Sequence, residues 1–94
     1  MKLVIAIIQN KFTNGVIKGL MEKNIRATKL ASTGGFLNSG NTTFLIGIED
    51  ENVDELKELI RSKVKVEEVK SESGSVTVSG AHLFVVDVDK AVFY

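Results

Sequence analysis

Arg26 opens the stretch that concentrates recognition chemistry in this chain: Arg26-Ala-Thr-Lys-Leu-Ala-Ser-Thr-Gly-Gly-Phe-Leu-Asn-Ser-Gly-Asn41. An arginine presents a planar fork of donors that matches a phosphate. The consecutive glycines Gly34 and Gly35 let backbone N–H groups approach an anion closely and form a concave nest. Phe36, at a loop tip, offers a ring face on which a base can stack, an interaction of about 1–3 kcal/mol. Asn10 and Asn41, at strand ends, offer amides for polar edges. The same residues also suit a plainer role: Arg26 as a surface charge, Gly34-Gly35 as an ordinary turn, Phe36 as packing at a subunit interface. Residue types alone leave both open.

Elsewhere the sequence offers little catalytic chemistry. His82 is the single histidine and cysteine is absent, which removes disulfides, thiolates and cysteine-rich zinc sites together. His82 follows Gly80-Ala81 with no carboxylate or second imidazole beside it, so an edge or core position explains it better than catalysis or metal ligation. The acidic residues fall mainly on one helix face, where solvation accounts for them. Glu49-Asp50-Glu51 fits negative charge at a helix N-terminus better than a cation site. No phosphate-binding P-loop occurs, and Gly34-Gly35 is not a dinucleotide fingerprint. The expectation is a protein that is not an enzyme, with no catalytic and no metal-binding residue. Twelve basic and twelve acidic residues cancel to a formal net charge of zero, so no bulk field favours nucleic acid or an anionic membrane.

The elements that must position Arg26 and its loop follow from periodicity. Leu3–Ile8 is a continuous apolar run of strand type, far too short to span a membrane. No leader pattern accompanies it, so the expected location is cytoplasmic. Thr13 is a candidate N-cap for a helix with Val16, Ile17, Leu20 and Met21 inward, and Asn24 suits a left-handed stop. A second strand alternates from Ile25, placing Ile25, Ala27, Lys29 and Ala31 on one side and Arg26, Thr28, Leu30 and Ser32 on the other. Thr42–Ile48 is a third strand. Asn52 and Glu55 have capping-box spacing, ahead of a helix that buries Val53, Leu56, Leu59 and Ile60. Alternating valines around Ser71–Gly74 predict a hairpin, and His82–Val88 the last core strand. The fold class is α+β: one domain over 1–94, a ferredoxin-like βαββαβ sandwich with an inserted β-hairpin. Two helices cover one sheet face, yet the strands are apolar on both, which predicts self-association. Val4, Ala6 and Ile8 are assigned to the uncovered face; without aromatic residues there, RNA is not expected.

With these residues in place, the chain resembles a known family, the PII-like cyclic-di-AMP receptors of the PstA/DarA type. The resemblance rests on Met1–Asn10, on Asn24–Leu37, on Gly40–Gly47, on Val53–Leu56 and on Gly80–Val88. It implies a PII-like homotrimer with a nucleotide in clefts between subunits. The ligand-binding residues it implies are Asn10, Arg26, Thr28, Gly35, Phe36, Leu37, Asn41 and Gly47. It implies a signal-transduction sensor with cyclic-di-AMP, or a related adenine nucleotide, as ligand, no cofactor, and an unknown downstream protein as partner. Nucleic acid polymers and membranes are not among the implied partners. Two departures stand out: the stretch around Lys70–Gly74 is compact where the family has a long loop, and Phe93 stands where the family ends in a glutamine that contacts the ligand. The alternative expectation is a ligand-free PII-like trimeric interaction module with a degenerate nucleotide site.

Overall fold

The computed structural model describes residues 1–30, 40–65, 67–71, 74–78, 80–90 and 92, with 67–71 and 74–78 as backbone. In chain order the elements are β1 (Lys2–Gln9), α1 (Asn10–Glu22), β2 (Thr28–Leu30) and β3 (Asn41–Ile48). A 3-10 turn (Asp50–Asn52) then leads into α2 (Val53–Lys63), followed by β4 (Glu67–Ser71), β5 (Gly74–Val78) and β6 (Ala81–Asp87). β1, β2, β3 and β6 form one antiparallel sheet in the order β2-β3-β1-β6, while β4 and β5 pair with each other separately. This split connectivity is compatible with a ferredoxin-like sandwich.

Register decides which residues share a face. Val4 lies opposite Ile46 and Val85, Ala6 opposite Phe44 and Leu83, and Ile8 opposite Thr42 and Ala81. The β1 and β3 members of this set lie under the helices and pack with Val16, Leu20, Val53, Leu56 and Ile60 into the core. Full burial of such an aliphatic side chain favours the fold by about 1.5–3 kcal/mol each. The assignment of Val4, Ala6 and Ile8 to the open face is therefore corrected. In an apolar strand both parities look alike, and only the side on which the helices cross distinguishes them. The open face carries Leu3, Ile5 and Ile7 instead, with Leu45 of β3 and Phe84 and Val86 of β6 in register beside them. Phe84 is 55% exposed and Val86 46%.

Both helix starts differ from expectation. β1 hands directly to α1 at Asn10, and the hydroxyl of Thr13 donates to the Gln9 carbonyl at 3.3 Å. Thr13 is buried inside the first turns rather than capping them. Asn52 has helical dihedrals and makes no side-chain cap, so the capping box with Glu55 does not form; its N–H donates to the Glu49 carbonyl at 2.9 Å, closing the 3-10 turn. Asn24 does take the left-handed conformation, with φ of 56°. In α1, Val16 and Leu20 are buried, but Met21 is 71% exposed, having rotated off the narrow apolar stripe. Gly19 permits the close approach of α1 to α2: a Cβ there would lie 3.0 Å from Leu59 Cδ2.

Candidate ligand-binding site

β2 begins at Thr28 rather than at Ile25, with Ala31 and Ser32 of the expected strand outside the described residues, but the alternation is real where it matters. Ile25 and Ala27 pack against the core while Arg26 and Thr28 are exposed. The register Thr28↔Leu45 together with Leu45↔Ile5 and Gly47↔Leu3 places Thr28 and Gly47 on the open sheet face. There a hollow of about 290 Å³ is lined by Arg26, Thr28, Leu45, Gly47 and Leu3, together with Met1, Lys2 and Val88. A second hollow of about 330 Å³ shares Arg26, Gly47 and Met1, and extends past Lys23, Asn24 and Asn52 to Glu49 and Glu55. Arg26 and Gly47 thus stand between two cavities. One offers an apolar floor with a guanidinium and a hydroxyl at its edge, which is the chemistry that holds a phosphorylated nucleoside.

The N-terminal end of β1 adds charges beside these hollows. The Met1 ammonium donates to Asp50 Oδ1 at 2.9 Å. That hydrogen bond, with the attraction between the two charges, raises the ammonium above its ordinary value and holds the Asp50 carboxyl below its own. Lys2 Nζ is hydrogen-bonded to Asp87 Oδ1, which raises the lysine. Asp50 and Asp87 are exposed, while Met1 and Lys2 are half-buried.

Asn10 and Asn41 lie elsewhere. Gln9 pairs with Asn41 at one end of the β1–β3 ladder, and Leu3 pairs with Gly47 near the other. Asn41 and Gly47 are six steps apart along β3, roughly 20 Å at about 3.4 Å per residue. The Asn10 end is organised in its own right. The Asn10 N–H donates to the Gly40 carbonyl at 2.8 Å, and Asn10 Oδ1 accepts from Thr42 Oγ1 at 2.7 Å. Gly40 has φ of +78°, a left-handed conformation that glycine adopts without a Cβ clash. Of the sequence-predicted site residues, then, Arg26, Thr28 and Gly47 come together, and Asn10 and Asn41 come together at the opposite end. Gly35, Phe36, Leu37 and Phe93 lie outside the described residues.

Several residues with a part in this arrangement went unmarked in the sequence. Thr42 fixes the Asn10 carboxamide, and Leu3 and Leu45 floor the hollow beside Arg26. The signal for the leucines was available: once β1 and β3 are paired antiparallel, Leu3 and Leu45 fall next to Gly47 and Thr28. Among the described residues no group of three His, Cys, Asp or Glu side chains is placed to hold a metal ion. No described helix is long and apolar enough to cross a membrane.

The fold and these hollows define a small α+β protein with a sheet face and a strand-end cavity available to a ligand. A family model described as Cyclic-di-AMP receptor matches residues 1–70, and the chain belongs to that family. Among solved structures, a functionally unknown protein from Pediococcus pentosaceus ATCC 25745 is similar, with 45% sequence identity and a TM-score of 0.76. The match covers 99% of this chain and 96% of that one.

Proposed function

We propose that this chain is a cytoplasmic sensor that binds cyclic-di-AMP, or a related adenine nucleotide, between the subunits of a homotrimer and passes its state to a partner protein. The observation that carries this reading is the division of the candidate residues between two sheet ends roughly 20 Å apart. One chain cannot close both groups around one ligand; a neighbouring copy can bring its Asn10 end against the Arg26 end of the first. The open face supports the same reading, since Leu3, Ile5, Ile7, Leu45, Phe84 and Val86 share it and an apolar face of that kind marks an interface. The number three comes from the resemblance to the PII-like receptors.

In this site Arg26 holds a phosphate, Thr28 donates a hydroxyl beside it, and Gly47 leaves the floor free of a side chain. The neighbour's Asn10 and Asn41 read polar edges. Gly35, Phe36 and Leu37 are assigned to the ligand by the resemblance alone, with Phe36 stacking on adenine. No reaction is catalysed; the output is a change in partner binding. The compact β4–β5 pair stands where the family has a long loop, so the partner contact differs from that of the long-loop receptors.

Calorimetric titration with cyclic-di-AMP, ATP, AMP and cyclic-di-GMP tests the reading. Heat is expected with cyclic-di-AMP and little with the guanine dinucleotide; no heat with any of the four sinks the ligand assignment. Arg26→Ala removes a charge-assisted contact of about 1.5–3 kcal/mol, so binding should weaken by about ten- to a hundredfold or more. The melting temperature of the free protein should change by a few degrees at most, because the side chain is exposed and the contacts of an exposed charge contribute about 0–1 kcal/mol. A large fall in stability would show that Arg26 is structural.

A further inference from the structure

Asn10 is held at two points by the start of β3. Its N–H donates to the Gly40 carbonyl at 2.8 Å, and its side-chain Oδ1 accepts from Thr42 Oγ1 at 2.7 Å. Thr42 is only 8% exposed and lies opposite Ile8 in the β1–β3 register, on the helix-covered side of the sheet. Its hydroxyl has no other hydrogen-bond partner among the described residues. We infer that Thr42 is a positioning residue that sets the polarity of Asn10. With its oxygen engaged, the carboxamide meets a ligand as a donor. It therefore reads a hydrogen-bond acceptor, a ring nitrogen or a phosphate oxygen, and not an amine.

This inference rests on the contact between Asn10 and the nucleotide proposed above, whichever copy supplies the rest of the cleft. A threonine hydroxyl carries one proton, and once buried it destabilises the fold unless that proton finds an acceptor. Asn10 Oδ1 is that acceptor. Turned about, the carboxamide would offer Thr42 two further protons and no lone pair. The hydroxyl would then have to accept, with its own proton unplaced. The favoured sense is therefore Oδ1 against Thr42, which turns Nδ2 away from it. Asn10 is exposed, and its Nδ2 makes no hydrogen bond among the described residues, so its N–H donors are available to a ligand. Gly40 and Thr42 flank Asn41, so the same two bonds also set Asn10 relative to that second candidate residue.

A fixed polarity bears on base choice. The ring nitrogen beside the exocyclic group is an acceptor in adenine and carries a proton in guanine. A donor aimed at that atom pairs with adenine and meets another donor in guanine, and such a mismatch works against the wrong ligand.

The test is calorimetric titration of cyclic-di-AMP into the wild-type chain, Thr42→Val, Thr42→Ser, Asn10→Ala and the Thr42→Val, Asn10→Ala double variant. Valine is nearly isosteric but lacks the proton, and it should weaken binding about two- to tenfold, the range of one neutral hydrogen bond. Serine keeps the hydroxyl and should recover most of that loss. In the Asn10→Ala background Thr42→Val should cost nothing further, a non-additivity that a merely structural role would not produce. A second arm varies the ligand and needs no Thr42 variant. If Asn10 reads a ring nitrogen, the Asn10→Ala penalty should vanish for one of the deaza analogues that replace a ring nitrogen by C–H. If it reads a phosphate oxygen, the penalty should persist for all of them. A penalty that vanishes only with the dinucleotide lacking the exocyclic amine would show Asn10 accepting from that amine and overturn the inference. Asn10→Ala or Thr42→Val binding as tightly as the wild type, or serine losing as much as valine, overturns it as well and leaves the nucleotide reading standing. A wild type that binds no nucleotide removes both.

Discussion

Gly80→Ala is the substitution whose consequence the structure specifies most closely. Gly80 is buried immediately before β6, where the chain returns beneath residues 64 and 65. A Cβ at Gly80 would lie 2.6 Å from the Lys65 carbonyl oxygen, 2.9 Å from Val64 Cβ and 3.0 Å from the Lys65 nitrogen. Two of these three atoms are backbone, so no rotamer change relieves the overlap and the two segments must part. Forced overpacking costs about 1–3 kcal/mol. The Gly80 carbonyl also accepts the Gln9 N–H at 3.0 Å, and loosening that bond adds about 0.5–1.5 kcal/mol. The sum is about 2–4 kcal/mol, and at roughly 4–8 °C per kcal/mol for a domain of this size the melting temperature should fall by about 10–30 °C. Urea unfolding followed by circular dichroism should show a lowered midpoint at an unchanged slope. Because Gln9 neighbours Asn10, the amide resonances of residues 9, 10 and 40 should move most, and those around Arg26 least. Gly40→Ala is the control: a Cβ there meets nothing within 4 Å, so only its left-handed backbone resists, at about 1–2 kcal/mol. If Gly80→Ala melts within a few degrees of wild type, the packing of β6 against residues 64 and 65 is wrong.

Two further outcomes are expected. Gly15→Ala should stabilise the protein by up to about 1 kcal/mol through helix propensity, since a Cβ there would stand 4.0 Å from the Lys63 side chain, an ordinary contact; a lowered melting temperature would show that α1 and α2 lie closer than described. The Asp50 carboxyl, held down chiefly by the Met1 ammonium, should titrate below its ordinary 3.8 in a carbon-detected NMR titration. Its stabilising contribution is present above the unfolded carboxylate range and lost as pH falls through the folded midpoint. The ammonium behaves oppositely, its contribution full at lower pH and lost as pH rises through its raised value. Acetylating the N-terminus should return Asp50 to the ordinary range, and an unchanged midpoint would refute the pairing.

Much of the frame was legible because it depends on short-range pattern. The apolar run at Leu3–Ile8, the stripe Val53, Leu56 and Ile60, and the left-handed stop at Asn24 each follow from local stereochemistry. The failures share one cause, competition from partners distant in sequence or from the exact entry of the chain. Thr13 has the chemistry of a cap, but its hydroxyl turns back to the Gln9 carbonyl because β1 runs straight into α1. Asn52 and Glu55 have capping spacing, yet the 3-10 turn fixes Asn52 in helical dihedrals that a capping residue avoids. The open face was assigned to the wrong residues of β1, since a strand apolar on both sides contains no parity signal. For the candidate site, alternation alone placed Arg26 and Thr28 on one face. That Asn10 and Asn41 would lie at the far end of the sheet required the antiparallel register, which composition does not encode.

The roughly 20 Å between the two groups of candidate residues has a consequence for how affinity should be measured. A cleft built from two copies exists only to the extent that the copies are associated, so ligand uptake and association are linked by mass action. On the reading proposed above, titrations at nanomolar subunit concentration should report weaker uptake than titrations at micromolar concentration. Saturating nucleotide should in turn hold the copies together under dilution. A single dissociation constant quoted without the subunit concentration would then describe the dilution as much as the cleft.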